Sequence, residues 1–111
     1  MPREKIQTRV RERVKIDEPL PRYKVIMHND DVTTMDFVVE VLRTVFFRTK
    51  EDAEAIMMRI HNEGSGVVGV YDYDIAISKV FKVKQMADEQ HFPLKLTVER
   101  NSSTRRYALF L

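Results

Sequence analysis

The chain has 111 residues, enough for one domain with a single modest core and too few for two. It contains no cysteine, which excludes disulfides, thiol nucleophiles and thiolate metal sites and fits a reducing compartment. Nineteen basic against seventeen acidic side chains give a formal charge of +2, and no run of about 18 apolar residues marks a membrane span. The charged beginning lacks the apolar centre of a signal peptide, so the expectation is a soluble, cytoplasmic protein with no membrane partner.

The charge excess is local. Residues 1–20 hold six basic side chains (Arg3, Lys5, Arg9, Arg11, Arg13, Lys15) against four acidic ones (Glu4, Glu12, Asp17, Glu18), and the remainder balances at 13 of each. With few large apolar residues, 1–20 is expected to be a mobile N-terminal arm, because it buries too little surface to offset its ordering entropy. Its interspersed acids argue against a nucleic-acid arm and for a solubilising leader or a protein tether. The expected core spans 21–100, and 101–111 is expected to be an apolar tail.

Tyr23–His28 is rich in β-formers and stops at Asn29-Asp30-Asp31, so a strand runs into a polar turn. Thr33 with Asp36 three residues on reads as a capping box, after which Met35, Val38, Val39, Leu42 and Phe46 fall at helical spacing. Thr49 with Asp52 repeats the capping signal for a second helix, whose stripe of Ala53, Ile56, Met57 and Ile60 ends at Gly64. His61 lies at the edge of that stripe. Val67–Tyr71 is a short strand. Asp72 is placed to cap a third helix, with Ala76, Val80, Val83 and Ala87 in one inward row and Ile77 and Phe81 in a neighbouring one. Pro93 opens a last strand, in which Leu94, Leu96 and Val98 alternate with Lys95, Thr97 and Glu99. The order β-α-α-β-α-β defines an α+β single domain with a three-stranded sheet and three helices. Asn101-Ser-Ser-Thr104 then breaks the pattern before the apolar Tyr107-Ala-Leu-Phe-Leu111.

The chemistry-bearing residues are His28, Asn29, Asp30, Asp31 and His61. Carboxylate and imidazole groups bind divalent ions or act as acid and base, so a metal or catalytic site is one reading. The chain lacks a His-Glu-x-x-His spacing, a phosphate-binding Gly-rich loop and a nucleophile elbow, which disfavours an enzyme. A turn that caps the following helix, beside a solvated histidine, accounts equally for the same residues.

A resemblance narrows these alternatives. Tyr23-Lys-Val-Ile-Met-His-Asn-Asp-Asp-Val-Thr-Thr-Met-Asp-Phe-Val-Val-Glu-Val-Leu42 resembles the signature of the ClpS family, adaptors of the Clp protease. The likeness continues through Ala53, Met57-Met58, Ile60-His61, Gly64, Gly69-Val70-Tyr71, Asp74, Ala76, Lys79 and Pro93-Leu94, covering roughly residues 22–99. It implies a fold similar to the C-terminal domain of the ribosomal stalk protein, with no cofactor, no metal and no catalysis. It also implies that the protein binds N-degron substrates, whose free first residue is Leu, Phe, Tyr or Trp, and delivers them to the N-terminal domain of the ClpA unfoldase. Asn29, Asp30, Asp31 and His61 would then receive the α-amino group. Thr33, Met35, Val38, Met57, Ile60 and Leu94 would line the hydrophobic pocket, and Asp74 and Lys79 would contact ClpA. The chain departs from the family at Ile77, where an acidic residue is common, and at Thr34, where proline is frequent. A stalk-like interaction domain that ignores free amines is the alternative reading.

Overall fold

The structure, a computed structural model, describes residues 20–101; the expected arm, apart from Leu20, and the expected tail, apart from Asn101, lie outside the described residues. Within them the order is β1 (Tyr23–His28), α1 (Met35–Thr44), α2 (Lys50–Glu63), β2 (Ser65–Tyr71), α3 (Tyr73–Glu89) and β3 (Lys95–Arg100). This is the expected β-α-α-β-α-β arrangement. The three strands form one antiparallel sheet in the order β2-β1-β3.

The period of two along β1 decides which face is covered. Val25 and Met27 are fully buried, and their partners Val98 and Leu96 on β3 pack against the same core, whereas Lys24, Ile26 and His28 alternate to the other face. On the other face His28 Nε2 lies 2.8 Å from the Thr97 hydroxyl. The helices contribute Val41 and Leu42 of α1, Ala53 and Ile60 of α2, and Ala76 and Val83 of α3 to one continuous core with Val68 of β2.

The helix ends follow local chemistry, with one change from expectation. Thr34, not Thr33, caps α1: its Oγ1 accepts from the Phe37 N–H at 3.2 Å. Thr33 is unavailable because its hydroxyl and its N–H both donate to Asp30. Thr49 caps α2 as expected, accepting from Asp52 N–H at 3.1 Å. Asp72 occupies the cap position of α3, but its side chain makes no capping hydrogen bond. Ile77 and Phe81 form no inward row. They are 39% and 71% exposed, because α3 faces the core with the buried Ala76–Val83–Ala87 stripe and the partly buried Val80 and Met86.

Gly64 sets the geometry that matters most for the site. It ends α2 in the left-handed conformation (φ 92°), its N–H donating to Ile60 C=O at 2.8 Å, a conformation that would cost about 1–2 kcal/mol in any residue with a Cβ. Its own carbonyl then accepts the Asn29 N–H at 2.8 Å. The chain reverses directly into β2, where Ser65 pairs with His28 and Gly66 with Met27. A Cβ at Gly66 would lie 3.1 Å from Ile60 Cγ1, so the glycine lets the last turn of α2 seat closely on the strand. Two consecutive features of the sequence, a capping glycine and a small residue after it, therefore bring the end of β1 beside the end of α2.

Candidate functional site

The loop leaving β1 is organised by one carboxylate. Asp30 Oδ1 accepts from Val32 N–H at 2.8 Å and Thr33 N–H at 2.6 Å, and Oδ2 accepts from the Thr33 hydroxyl at 2.7 Å. Partial burial pushes the Asp30 pKa up, but the hydrogen bonds from the Thr33 N–H, the Thr33 hydroxyl and the Val32 N–H outweigh it and hold the carboxyl below its ordinary value. Asp30 thus ties the loop into an Asx-type turn from which α1 starts.

Around this turn lies a cavity of ≈250 Å³. Asn29, Asp30, Asp31 and Thr33 of the loop, Met35 and Val38 of α1, and Met57, Ile60 and His61 of α2 surround it. The two groups of residues have different depths. Val38 and Ile60 are 8% and 3% exposed and form an apolar floor with the half-buried Met57, while Asn29, Asp31 and His61 are exposed at the rim and Met35 stands at the edge, 43% exposed. The Asn29–Gly64 backbone bond explains the convergence: His61 lies one helical turn before the residue that holds Asn29. A cavity this size is below the roughly 300–1,000 Å³ of small-molecule sites and has room for about one side chain.

Nine of the ten residues assigned from sequence to the amino-binding and pocket sets meet here; the tenth does not. Leu94 is buried in the core and borders a neighbouring cavity of ≈280 Å³ with Val80, Lys84 and Phe92. His28, weighed as a ligand, also lies apart, on the opposite sheet face. Among the described residues no group of three or more His, Cys, Asp or Glu side chains is placed to hold a metal ion.

Asp74 and Lys79 border a larger groove of ≈680 Å³ between α1 and α3, together with Glu40, Phe47, Ile75 and Met86. Size does not make this groove the site of polar chemistry, since its walls are mainly apolar. Lys79 is not the free surface charge its position on an amphipathic helix suggests. Its Nζ donates to Val45 C=O at 2.7 Å, at the C-terminal end of α1, and lies 4.7 Å from the Phe47 ring centre and 5.2 Å from that of Tyr71. An ammonium group is favoured there by the unpaired carbonyls of the helix end and by the ring faces. Asp74 remains exposed. Phe47, 79% exposed and in the left-handed conformation (φ 54°), carries no signal in the sequence beyond following a helix. The role of Asp30 did carry one, an aspartate three residues before a threonine.

Fold and cavity together define a class: a small α+β domain with a polar-rimmed, apolar-floored cavity between a strand-to-helix loop and a neighbouring helix end. Comparison with known proteins makes the class specific. The model of the family described as ATP-dependent Clp protease adaptor protein ClpS matches residues 18–97. The ClpS adapter protein of Acetivibrio thermocellus is 53% identical over 94 residues, covering 84% of this chain and 95% of its own, and that of Wolinella succinogenes is 47% identical over 93 residues, covering 84% and 90%. The structure of Agrobacterium tumefaciens ClpS2 bound to L-phenylalaninamide superposes with a TM-score of 0.72 at 37% identity, covering 75% of this chain and all of that one. The chain belongs to the ClpS family of Clp protease adaptor proteins. No helix among the described residues is long and apolar enough to cross a membrane.

Proposed function

We propose that the cavity receives the free α-amino group and first side chain of N-degron proteins beginning with Leu, Phe, Tyr or Trp, and that the protein delivers them to the ClpA unfoldase. The observation that carries this reading is the meeting of Asn29, Asp31 and His61 at the rim of an apolar floor sized for one side chain. An ammonium group has three donors and no acceptor, and an amide oxygen, a carboxylate and a neutral imidazole nitrogen are three acceptors. Asp30 holds the loop through Val32 and Thr33, and its Oδ2, which accepts only the Thr33 hydroxyl, keeps a further lone pair, so Asp30 and Asp31 both remain carboxylate acceptors for the amine. L-phenylalaninamide, the molecule bound to Agrobacterium tumefaciens ClpS2, combines a free α-amine, an aromatic side chain and an amide in place of the carboxylate, as the first residue of a peptide does.

Magnitudes divide the work. Burying one Leu or Phe side chain contributes roughly 1.5–3 kcal/mol, whereas micromolar binding requires about 8 kcal/mol. Hydrogen bonds to a charged group contribute roughly 1.5–3 kcal/mol each, so amine and backbone contacts supply most of the affinity and the floor supplies selectivity.

Met35 stands at the cavity edge, and its unbranched thioether fits beside a side chain that is unbranched at Cβ. Met35→Ala is expected to raise the affinity of Ile- and Val-initiated peptides by about tenfold, roughly one or two methylenes of relieved crowding, measured against a Phe-initiated peptide by fluorescence anisotropy. Unchanged selectivity would mean that Met35 only packs. Delivery is assigned to the α1–α3 groove, with Asp74 contacting the unfoldase and Lys79 shaping the groove, and to the arm 1–20. Deleting residues 2–20 should leave peptide affinity unchanged and slow degradation of an N-degron substrate by the ClpA-containing protease severalfold; equal rates for both forms contradict a role of the arm.

A further inference from the structure

The end of α1 runs against its own local chemistry. Val45 N–H donates to Val41 C=O at 2.9 Å and Arg48 N–H to Leu42 C=O at 3.0 Å, a closure of the Schellman kind that puts Phe47 in the left-handed conformation (φ 54°). Gly64 takes a left-handed conformation at the end of α2, where the missing Cβ removes the steric cost. At the end of α1 an aromatic residue stands instead. Burial does not offset the strain, since Phe47 is 79% exposed, the most exposed large apolar side chain among the described residues. A strained backbone and an uncovered ring at one position point to a role outside the fold.

The ring is nonetheless held. Lys79 Nζ lies 4.7 Å from its centre while donating to Val45 C=O at 2.7 Å, so one ammonium group fastens both the α1 end and the Phe47 ring. Phe47 borders two cavities, the ≈680 Å³ groove toward α3 and one of ≈550 Å³ bordered by Asp36, Arg43 and Arg48. Beside it in the groove are Ile75, 48% exposed, and the half-buried Met86, with the exposed acids Glu40 and Asp74 on the two walls. A fixed aromatic ring on a partly apolar surface with a charged rim has the make-up of an interface hot spot.

We propose that Phe47 is the aromatic anchor with which this adaptor docks on the Clp unfoldase, and that Lys79 is a positioning residue that acts through the Phe47 ring rather than by touching the partner. Both roles rest on the delivery reading above. The occupant follows from what an adaptor must do: a member of this family engages a component of the Clp protease while holding its cargo, so the two surfaces cannot overlap. The groove and the amine cavity share no residue. Met35 and Val38 of the cavity lie in the first turns of α1, whose ten residues span about 15 Å, and Phe47 lies beyond its last turn. The partner surface that fits is an apolar hollow for one ring, with basic side chains facing Glu40 and Asp74 and an acid facing Lys82.

Affinity of the full chain for the full-length ClpA unfoldase, measured by interferometry beside affinity for a Phe-initiated peptide, tests both parts. Phe47→Gly and Phe47→Asn remove the ring and place there residues that accept the left-handed conformation, so the domain stays folded. Each should weaken ClpA binding at least about tenfold and leave peptide affinity within about twofold. Lys79→Met should weaken ClpA binding about threefold or more in the native chain and have no further effect in the Phe47→Gly chain, while Lys79→Arg, which keeps a cation by the ring, should retain it. ClpA binding by both Phe47 variants within about twofold of the native chain overturns the anchor. Equal losses from Lys79→Met in the two backgrounds overturn the positioning role and make Lys79 a direct contact. A native chain that does not bind ClpA overturns the delivery reading and these roles with it, a failure distinct from any that the variants produce.

Discussion

A Phe-initiated peptide whose α-amine is acetylated should bind at least about 100-fold more weakly than the same peptide with a free amine, a loss of roughly 2.8 kcal/mol at about 1.4 kcal/mol per tenfold. The expectation follows from what each group offers. The free terminus presents three charged donors to Asn29, Asp31 and His61, whereas the acetylated one presents a single neutral N–H and adds a carbonyl oxygen. Two acceptors then lose their partner, and the acetyl group occupies the rim where they converge. Leaving polar groups unpaired costs about 1–3 kcal/mol each, so even partial solvation of the rim keeps the loss large. The apolar floor of Val38, Met57 and Ile60 is unaffected by acetylation and cannot compensate. Titration of the paired peptides by calorimetry or anisotropy decides the matter. Binding of the two within a few-fold would remove the amine from the recognition chemistry and favour an interaction domain of the stalk type.

The contrast between what the sequence made legible and what it did not has a physical basis. Element order was readable where local signals mark it: Thr49 before Asp52, the left-handed Gly64, and the run of β-formers Tyr23–His28 that stops at a polar turn. The cavity was readable from the resemblance and from residue types, since loop and helix end are joined by one capping glycine. Lys79 was not, because its surroundings come from the approach of α3 to the end of α1, 34 residues away, and no local pattern records that contact. Family pattern assigns Leu94 to the pocket but carries no position across the sheet; Leu94 is buried in the shared core and borders a neighbouring cavity with Val80, Lys84 and Phe92. Thr33 and Thr34 differ for a related reason: adjacent threonines compete for one cap, and the aspartate three residues earlier takes the first of them.

Asp30→Ala should lower peptide affinity by about 10- to 100-fold, the loss of one or two charge-assisted hydrogen bonds' worth of loop order, while global stability falls by less than about 2 kcal/mol. The two effects separate because Asp30 is outside the buried core, yet it alone fixes Val32, both donors of Thr33 and, through them, the direction in which Asp31 and Met35 leave the turn. Without it the acceptors remain chemically present but lose their common orientation. Thr33→Val removes only the hydroxyl bond and retains the N–H bond to Oδ1, so its effect should be the smaller of the two. The pH dependence has a defined sign. The folded-state pKa of Asp30 lies below its ordinary value of 3.8, so its contribution is complete above that value and is lost as pH falls through the folded-state pKa. Affinity should therefore be insensitive to this group from neutral pH down to about 4 and decline below. In the same acid range the gap between wild type and Asp30→Asn should close, because a protonated carboxyl and an amide make similar neutral acceptors. Peptide binding by Asp30→Ala within twofold of wild type, at unchanged thermal stability, would show that the loop keeps its shape without the carboxylate and would shift the ordering role to the backbone bond between Asn29 and Gly64.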